Sequence, residues 1–385
     1  MPDSVLETIP GPRAKAAGEP VSGGRGGLFI LSNMREYGGA ERSITTILPH
    51  LAAALPVRIF AEQARHVADL EKLAGPNLRV VRCPRGISLW STGRAFALVL
   101  WHFLREHPAA ILANGHKGAT MLAALRWLVP WSRTRFAVYV RDFGFFTMPR
   151  LLRHLPGAIY FAPSQAVFDH PQYRAWGLDR ARCEVVANGV EPATREPHES
   201  DPPYLGCCAR ITPWKGIDYL IRAFQRIAAA HPTVRLHIYG EEREAGYAAS
   251  LRGLAEELGI ANRVDFQSFV ADPAEMYAGG SVFVVPSLDQ HPGPETFCRV
   301  IIEAWAYRKP VVAFAAGGPK YLIEDGVDGF LVGEKNIAQL ADRVLELLGD
   351  PALRARMGGA GWRRTQQEFE PAAIARQLLD RIFAA

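Results

Sequence analysis

Short apolar strands alternate with helical patterns through this chain twice, and a polar, proline-rich break at residues 191–203 separates the two runs. In the first run, residues 27–32 read as a buried strand that leads through a polar loop and Gly38-Gly39 into a helical pattern at 40–54. Further strands are expected at 57–60, 78–81, 110–112, 136–140 and 158–162. After the break, strands at 204–208, 235–239, 264–266, 282–285 and 311–314 alternate with helices such as 217–230 and 247–258. Alternation of this kind implies βαβ crossovers, parallel sheets and an α/β fold class. At 385 residues the chain also exceeds what one core usually serves. We therefore expect a flexible tail at 1–26, a first α/β domain at 27–190, a linker at 191–203, a second domain at 204–365, and a C-terminal helix at 366–385 packing back toward the first. Two such sheets face each other with their carboxyl edges along one cleft, where α/β folds bind ligands.

Charge is distributed unequally between the two runs. Residues 26–190 hold 20 Lys/Arg against 10 Asp/Glu, whereas residues 191–385 hold 21 against 26. A basic half suits an anionic partner, either a membrane surface or a phosphate-bearing acceptor, and solvated surface charge accounts for it equally well. Within it, residues 123–157 interleave Arg126, Arg133, Arg135, Arg141, Arg150 and Arg153 with Trp127, Trp131, Phe143, Phe145 and Phe146, against the single acid Asp142. A patch for peripheral membrane contact or a lipid acceptor is one reading, while 136–140 reads as core strand. No nucleic-acid-binding motif accompanies the charge, so nucleic acid is not an expected partner. The five cysteines, Cys83, Cys183, Cys207, Cys208 and Cys298, are scattered, which indicates neither a disulfide framework nor a zinc site. No apolar run approaches the ~18 residues of a membrane span, and the first residues lack a signal-peptide pattern. The expected location is cytoplasmic, with peripheral contact at the inner face of the cytoplasmic membrane as an extension of it.

The segment from Pro286 to Ala306 carries the most chemistry. It reads as a strand end, a loop through Glu295, and a helix beginning near Thr296 or Phe297 that contains Glu303. A helix start frees backbone N–H groups for a phosphate. Glu295 and Glu303 are placed to accept hydrogen bonds from sugar and ribose hydroxyls. Paired glutamates at this spacing are common on solvated helices, and it is the neighbouring residues that make this pair specific. Arg210-Ile211-Thr212-Pro213-Trp214-Lys215-Gly216 precedes another helix and sets two cations, Arg210 and Lys215, near its start. At the end of the first strand stands Gly38-Gly39-Ala40-Glu41-Arg42, where a side chain at Gly39 would block a ligand from the backbone. This is not the dinucleotide-binding fingerprint, which argues against a dehydrogenase.

These segments resemble the GT4-like retaining glycosyltransferases of group 1, whose E-x7-E motif matches Glu295 and Glu303. Their R-x4-K-G and G-G-A-E-R segments match residues 210–216 and 38–42. The resemblance implies the GT-B architecture, two Rossmann-like α/β domains with parallel sheets facing across a cleft. It implies that Glu295 binds donor-sugar hydroxyls, that the backbone of Phe297, Cys298, Arg299 and Val300 faces sugar and phosphates, and that Glu303 holds the ribose. Arg210 and Lys215 would flank the diphosphate, with Gly38, Gly39, Gly240 of the Tyr239-Gly240-Glu241 turn, and Phe269 of a base-binding loop at 266–270 as further donor contacts. Asn114-Gly115-His116 resembles the family's H-x-H, which assigns His116 to the donor sugar with Asn114 replacing the first histidine. Arg141-Asp142 resembles its H-D, with Arg141 replacing histidine, and marks the acceptor side. Asn188-Gly189-Val190 matches the N-G-V before the linker. Cys298 stands where the family usually has glycine, Ser268 replaces another common glycine, and Tyr321 takes the place of a frequent glutamate. The implied activity is metal-independent transfer of a hexose from a nucleoside diphosphate sugar, UDP or GDP favoured, to a hydroxyl of a glycolipid, lipid-linked saccharide or polysaccharide, with retention and no cofactor. A non-catalytic nucleotide-sugar-binding protein and a nucleotide-sugar epimerase of the same fold are the alternatives.

Overall fold

The computed structural model describes residues 26–32, 37–86, 88–141, 155, 157–268, 270, 272–290 and 294–384. Asp142 and Phe269 lie outside the described residues, as do the 1–25 tail, Phe143, Phe145, Phe146, Arg150 and Arg153. The first sheet contains β1 (Leu28–Ser32), β2 (Val57–Ala61), β3 (Leu78–Arg82), β4 (Ala110–Asn114), β5 (Arg135–Tyr139), β6 (Ile159–Ala162) and β7 (Cys183–Val185), in spatial order β3-β2-β1-β4-β5-β6-β7. The second contains β8 (Tyr204–Cys208), β9 (Arg235–Tyr239), β10 (Val264–Gln267), β11 (Val282–Val285), β12 (Val311–Phe314) and β13 (Gly329–Val332), in order β10-β9-β8-β11-β12-β13. All pairs are parallel, for example Leu28 beside both Val57 and Ala110. The chain is thus a two-domain α/β protein. In each sheet the strand order reverses beside the first strand of that sheet, at β1/β4 and at β8/β11, and such a reversal opens a crevice at the strands' carboxyl ends.

Helices cover both faces of each sheet because each buries an apolar stripe at helical spacing. On one side of the first sheet, Ile44, Ile47, Leu48 and Leu51 of helix Gly39–Ala54 pack in one core with Ile374, Leu378 and Ile382 of the terminal helix Pro371–Phe383. The chain therefore returns to the first domain after completing the second sheet. Arg135 Nη1 donates to Ile382 O at 2.9 Å and ties that helix to β5. The opposite side is covered by helices Leu89–Glu106 and His116–Leu128, which share another core. In the second domain, Leu220, Ile221, Phe224 and Ile227 of helix Ile217–Ala230 fill one side, and Ile301, Ile302 and Trp305 of helix Arg299–Ala306 fill the other. No helix among the described residues is long and apolar enough to cross a membrane.

His66 is buried against the end of β1, with its Nε2 3.1 Å from Ser32 Oγ, and burial pushes its imidazole down to about 4. A depressed histidine is protonated in the unfolded chain before it is in the folded one. The fold should thus lose up to about 3 kcal/mol as pH falls from about 6.5 toward 4, with no effect of this group above that window. Urea unfolding of wild type and His66→Gln across this range checks it, and equal slopes in the two proteins would refute the assignment.

Candidate functional site

The segments singled out in the sequence converge because each follows the carboxyl end of a parallel strand. β1 leads to Gly38 and Gly39, β4 to Gly115-His116, β5 to Arg141, β8 to Arg210 and Lys215, β9 to Gly240, and β11 to the loop containing Glu295. Helix Arg299–Ala306 starts two to three residues later than expected. Thr296 and Phe297 form a bend and Cys298 is the capping residue, so the first-turn amides that a helix cannot satisfy internally are those of Arg299 and Val300.

Glycines hold the Glu295 loop in place. Gly318 N donates to Glu295 O at 2.6 Å, and a Cβ on Gly318 would lie 2.6 Å from Phe297 Cα. Gly216, at φ 63°, would bring a Cβ within 2.0 Å of Pro286 O. Gly240 has the same kind of role, since a Cβ there would meet Ala209 O at 1.8 Å. Its requirement is backbone packing beside Arg210. At Gly39 the protein leaves room, the nearest atom to a Cβ being Arg299 Cδ at 3.6 Å.

Glu295 accepts an ion-paired hydrogen bond from Lys215 Nζ and one from Ser287 Oγ at 3.2 Å. Lys215 also lies over the Trp214 ring, 4.1 Å from its centroid, with Arg210 at 5.8 Å from the same centroid. Glu303 is buried and fully engaged. Its Oε1 meets Arg299 Nε and Arg42 Nη2, each at 3.1 Å, and its Oε2 accepts from Tyr277 OH at 2.9 Å. Burial alone would raise the Glu303 carboxyl. Arg42 and Arg299, with the Tyr277 hydroxyl, outweigh it and hold the group below the ordinary carboxylate range. Arg299 also reaches the first domain, donating to Gly189 O at 2.9 Å and Ser43 Oγ at 3.2 Å. A second bridge runs through Thr296, whose Oγ1 donates to Arg141 O at 3.0 Å and whose carbonyl accepts from Ser164 Oγ.

Arg141, expected to face an acceptor, is buried instead. Its Nε donates to Asn114 Oδ1 at 2.8 Å, its Nη1 donates to Asn188 Oδ1, and its guanidinium stacks on Tyr139, 3.4 Å from the ring centroid. The two residues that replace family histidines therefore contact each other directly. His116 begins helix His116–Leu128 after Gly115, which has φ 107°. Phe297 is buried and turns its ring onto Phe369, with ring centroids 6.0 Å apart. Tyr321 is exposed and donates to Asp169 Oδ2 at 3.2 Å across the domains. Arg42, Tyr277 and Ser287 join the site without having been assigned to it from the sequence. For Arg42 a signal was available, because a cation in the first turn of a helix opposes the helix dipole and needs an acid from elsewhere. Among the described residues no group of three or more His, Cys, Asp or Glu side chains is arranged to hold a metal ion.

Cys298 sits at φ 75°, ψ 78°, in the left-handed region, and is buried. Burial pushes its thiol well above the usual range, so it is a neutral packing group. A β-branched side chain cannot adopt this conformation without strain. Cys298→Val should cost about 2 kcal/mol, whereas Cys298→Gly should stay within about 1 kcal/mol of wild type, relief of strain offsetting lost packing. Denaturant midpoints of the two variants check this, and equal tolerance of both would refute it.

Comparison with known proteins follows the same geometry. Residues 191–364 match the family model described as glycosyl transferases group 1. The chain is 31% identical over 320 residues, 75% of its own length and 80% of the relative's, to a GDP-mannose-dependent monoacylated α-(1-6)-phosphatidylinositol monomannoside mannosyltransferase of Corynebacterium glutamicum. It is 35% identical over 194 residues to a D-inositol 3-phosphate glycosyltransferase of Mycolicibacterium smegmatis, an alignment covering 46% of this chain and 43% of that one. Among solved structures, Anabaena HepE in complex with UDP and glucose superposes with a TM-score of 0.76 at 23% identity, covering 93% of this chain and 99% of the other. At that identity the likeness is one of fold.

Proposed function

The chain belongs to the group 1 glycosyltransferases, and from that membership we propose that it transfers a hexose from a nucleoside diphosphate sugar to a hydroxyl on a carbohydrate or lipid-linked acceptor, with retention and without a metal. One observation carries the proposal. Two helix N-termini, at Gly39 and Arg299, meet across the cleft beside the Lys215–Glu295 pair and the Arg42–Glu303–Arg299 cluster. A diphosphate suits two helix N-termini with cations beside them. In this reading Lys215 and Arg210 bind the diphosphate and stabilise it as it departs. Glu295 exchanges Lys215 for sugar hydroxyls, Glu303 exchanges Arg42 or Arg299 for ribose hydroxyls, and the amides of Cys298, Arg299 and Val300 face the phosphates. Gly38 and Gly39 keep the opposite wall bare, and His116 contacts the sugar. No side chain acts as nucleophile; catalysis rests on positioning and charge.

UDP is supported by the ligands of HepE and GDP by the name of the Corynebacterium relative. The two are tested together. A UDP- or GDP-sugar should raise the melting temperature, and with a lipid-linked saccharide acceptor the product's anomeric configuration by NMR should match the donor's, in the presence of chelator. Failure of every such donor either to bind or to be consumed would overturn the proposal.

A further inference from the structure

Helix Leu89–Glu106 has an outward stripe of an unusual kind. Trp90, Gly93, Arg94, Ala97, Trp101, Leu104 and Arg105 recur at helical spacing and are all exposed, whereas a solvent-facing stripe is ordinarily polar with mixed charge. Helix His116–Leu128 and the turn after it add Trp127, Leu128, Trp131 and Arg133, again exposed. Both helices are crossovers running toward β4 and β5 in the same direction along the sheet, and both bury their inner faces in one core, so they share one side of the first domain. The four tryptophans are 76%, 52%, 82% and 76% exposed at positions 90, 101, 127 and 131. Between Glu71 and Asp142 the chain carries eleven Lys/Arg and one acid, Glu106, and Glu106 is turned to Arg58 and His102 rather than to this stripe.

We propose that this tryptophan and arginine face docks the protein onto an anionic lipid bilayer. Indole rings prefer the boundary between headgroups and acyl chains, and arginines beside them pair with lipid phosphates. A second copy of the chain is a poor occupant, because a twofold contact would press one cationic face against another. Trp90 lies in the first turn of its helix, at the end nearest the cleft, since each helix starts where a parallel strand ends. The docked face thus reaches the cleft rim, where a lipid-linked substrate would enter. The inference concerns this surface alone and does not depend on the identity of the donor.

The test is co-sedimentation of the full chain with vesicles of phosphatidylcholine alone or with about a third phosphatidylglycerol, at low and high salt. Wild type should pellet with the anionic vesicles, less so in high salt, and its tryptophan emission should shift to the blue. Trp101→Ser/Trp127→Ser and Arg94→Glu/Arg105→Glu should each weaken binding at least about tenfold, since one arginine at an anionic surface contributes about fivefold, with melting temperatures equal to wild type. The proposal is overturned if wild type stays in the supernatant with anionic vesicles, if the variants pellet as wild type does, or if sedimentation velocity shows a dimer that these variants dissolve. Donor-induced thermal shifts in the same proteins report on the cleft separately, so failure of one reading is distinguishable from failure of the other.

Discussion

Replacing Glu295 by alanine is expected to lower donor turnover by about a hundred- to a thousandfold, or 3–4 kcal/mol in the barrier, the usual cost of removing one positioned polar contact at the reacting centre. Folding should be little affected. Glu295 lies on a loop, its side chain is 14% exposed, and its partner Lys215 retains the face of Trp214. Nucleoside diphosphate binding should also survive, because the cations that meet the phosphates remain. That separation gives the experiment its force: a melting curve near wild type and an intact shift with UDP or GDP, together with lost turnover, point to the sugar-binding step. Glu295→Gln, which keeps an acceptor but releases Lys215, should fall between the two. Turnover unchanged in Glu295→Ala would sink the assignment of this loop to the sugar.

How far the sequence reaches depends on the range of the forces involved. Strands such as 282–285 and 311–314 were readable because a strand buried on both faces is a continuous apolar run. β7, at the edge of its sheet, is three residues long, carries a charged Glu184 and leaves no such signature. The start of helix Arg299–Ala306 was placed too early because a residue with φ near 75° interrupts a segment whose side chains alone look helical. Glu295, Glu303, Arg299 and Lys215 could be grouped from local motifs. The partners of Glu303 could not, since Arg42 meets it only through the docking of two domains and Tyr277 only through the packing of two helices within the second. Asn114 and Arg141 stood out separately as departures, and their hydrogen bond accounts for both. A buried guanidinium needs an amide oxygen as acceptor, and asparagine supplies one.

The Arg42–Glu303–Arg299 cluster gives the second large effect. Glu303→Gln preserves volume and the Tyr277 hydrogen bond but leaves two arginines facing each other at a buried junction, which should cost about 3 kcal/mol. The pH dependence follows from the depressed carboxyl. Its stabilisation is fully present above the ordinary carboxylate pKa and is lost as pH falls below that value through the folded one. The gap between wild type and Glu303→Gln should therefore narrow on acidification. Arg42 belongs to the first domain and Glu303 to the second, so a double-mutant cycle also reports on domain docking. Arg42→Met should cost little in the Glu303→Gln background and more in wild type, with a coupling of about 1–3 kcal/mol. Strict additivity would mean that the two domains do not meet through this pair in solution. A coupling that disappears when a nucleoside diphosphate is added would mean that the ligand has taken over Arg42 and Arg299 from Glu303.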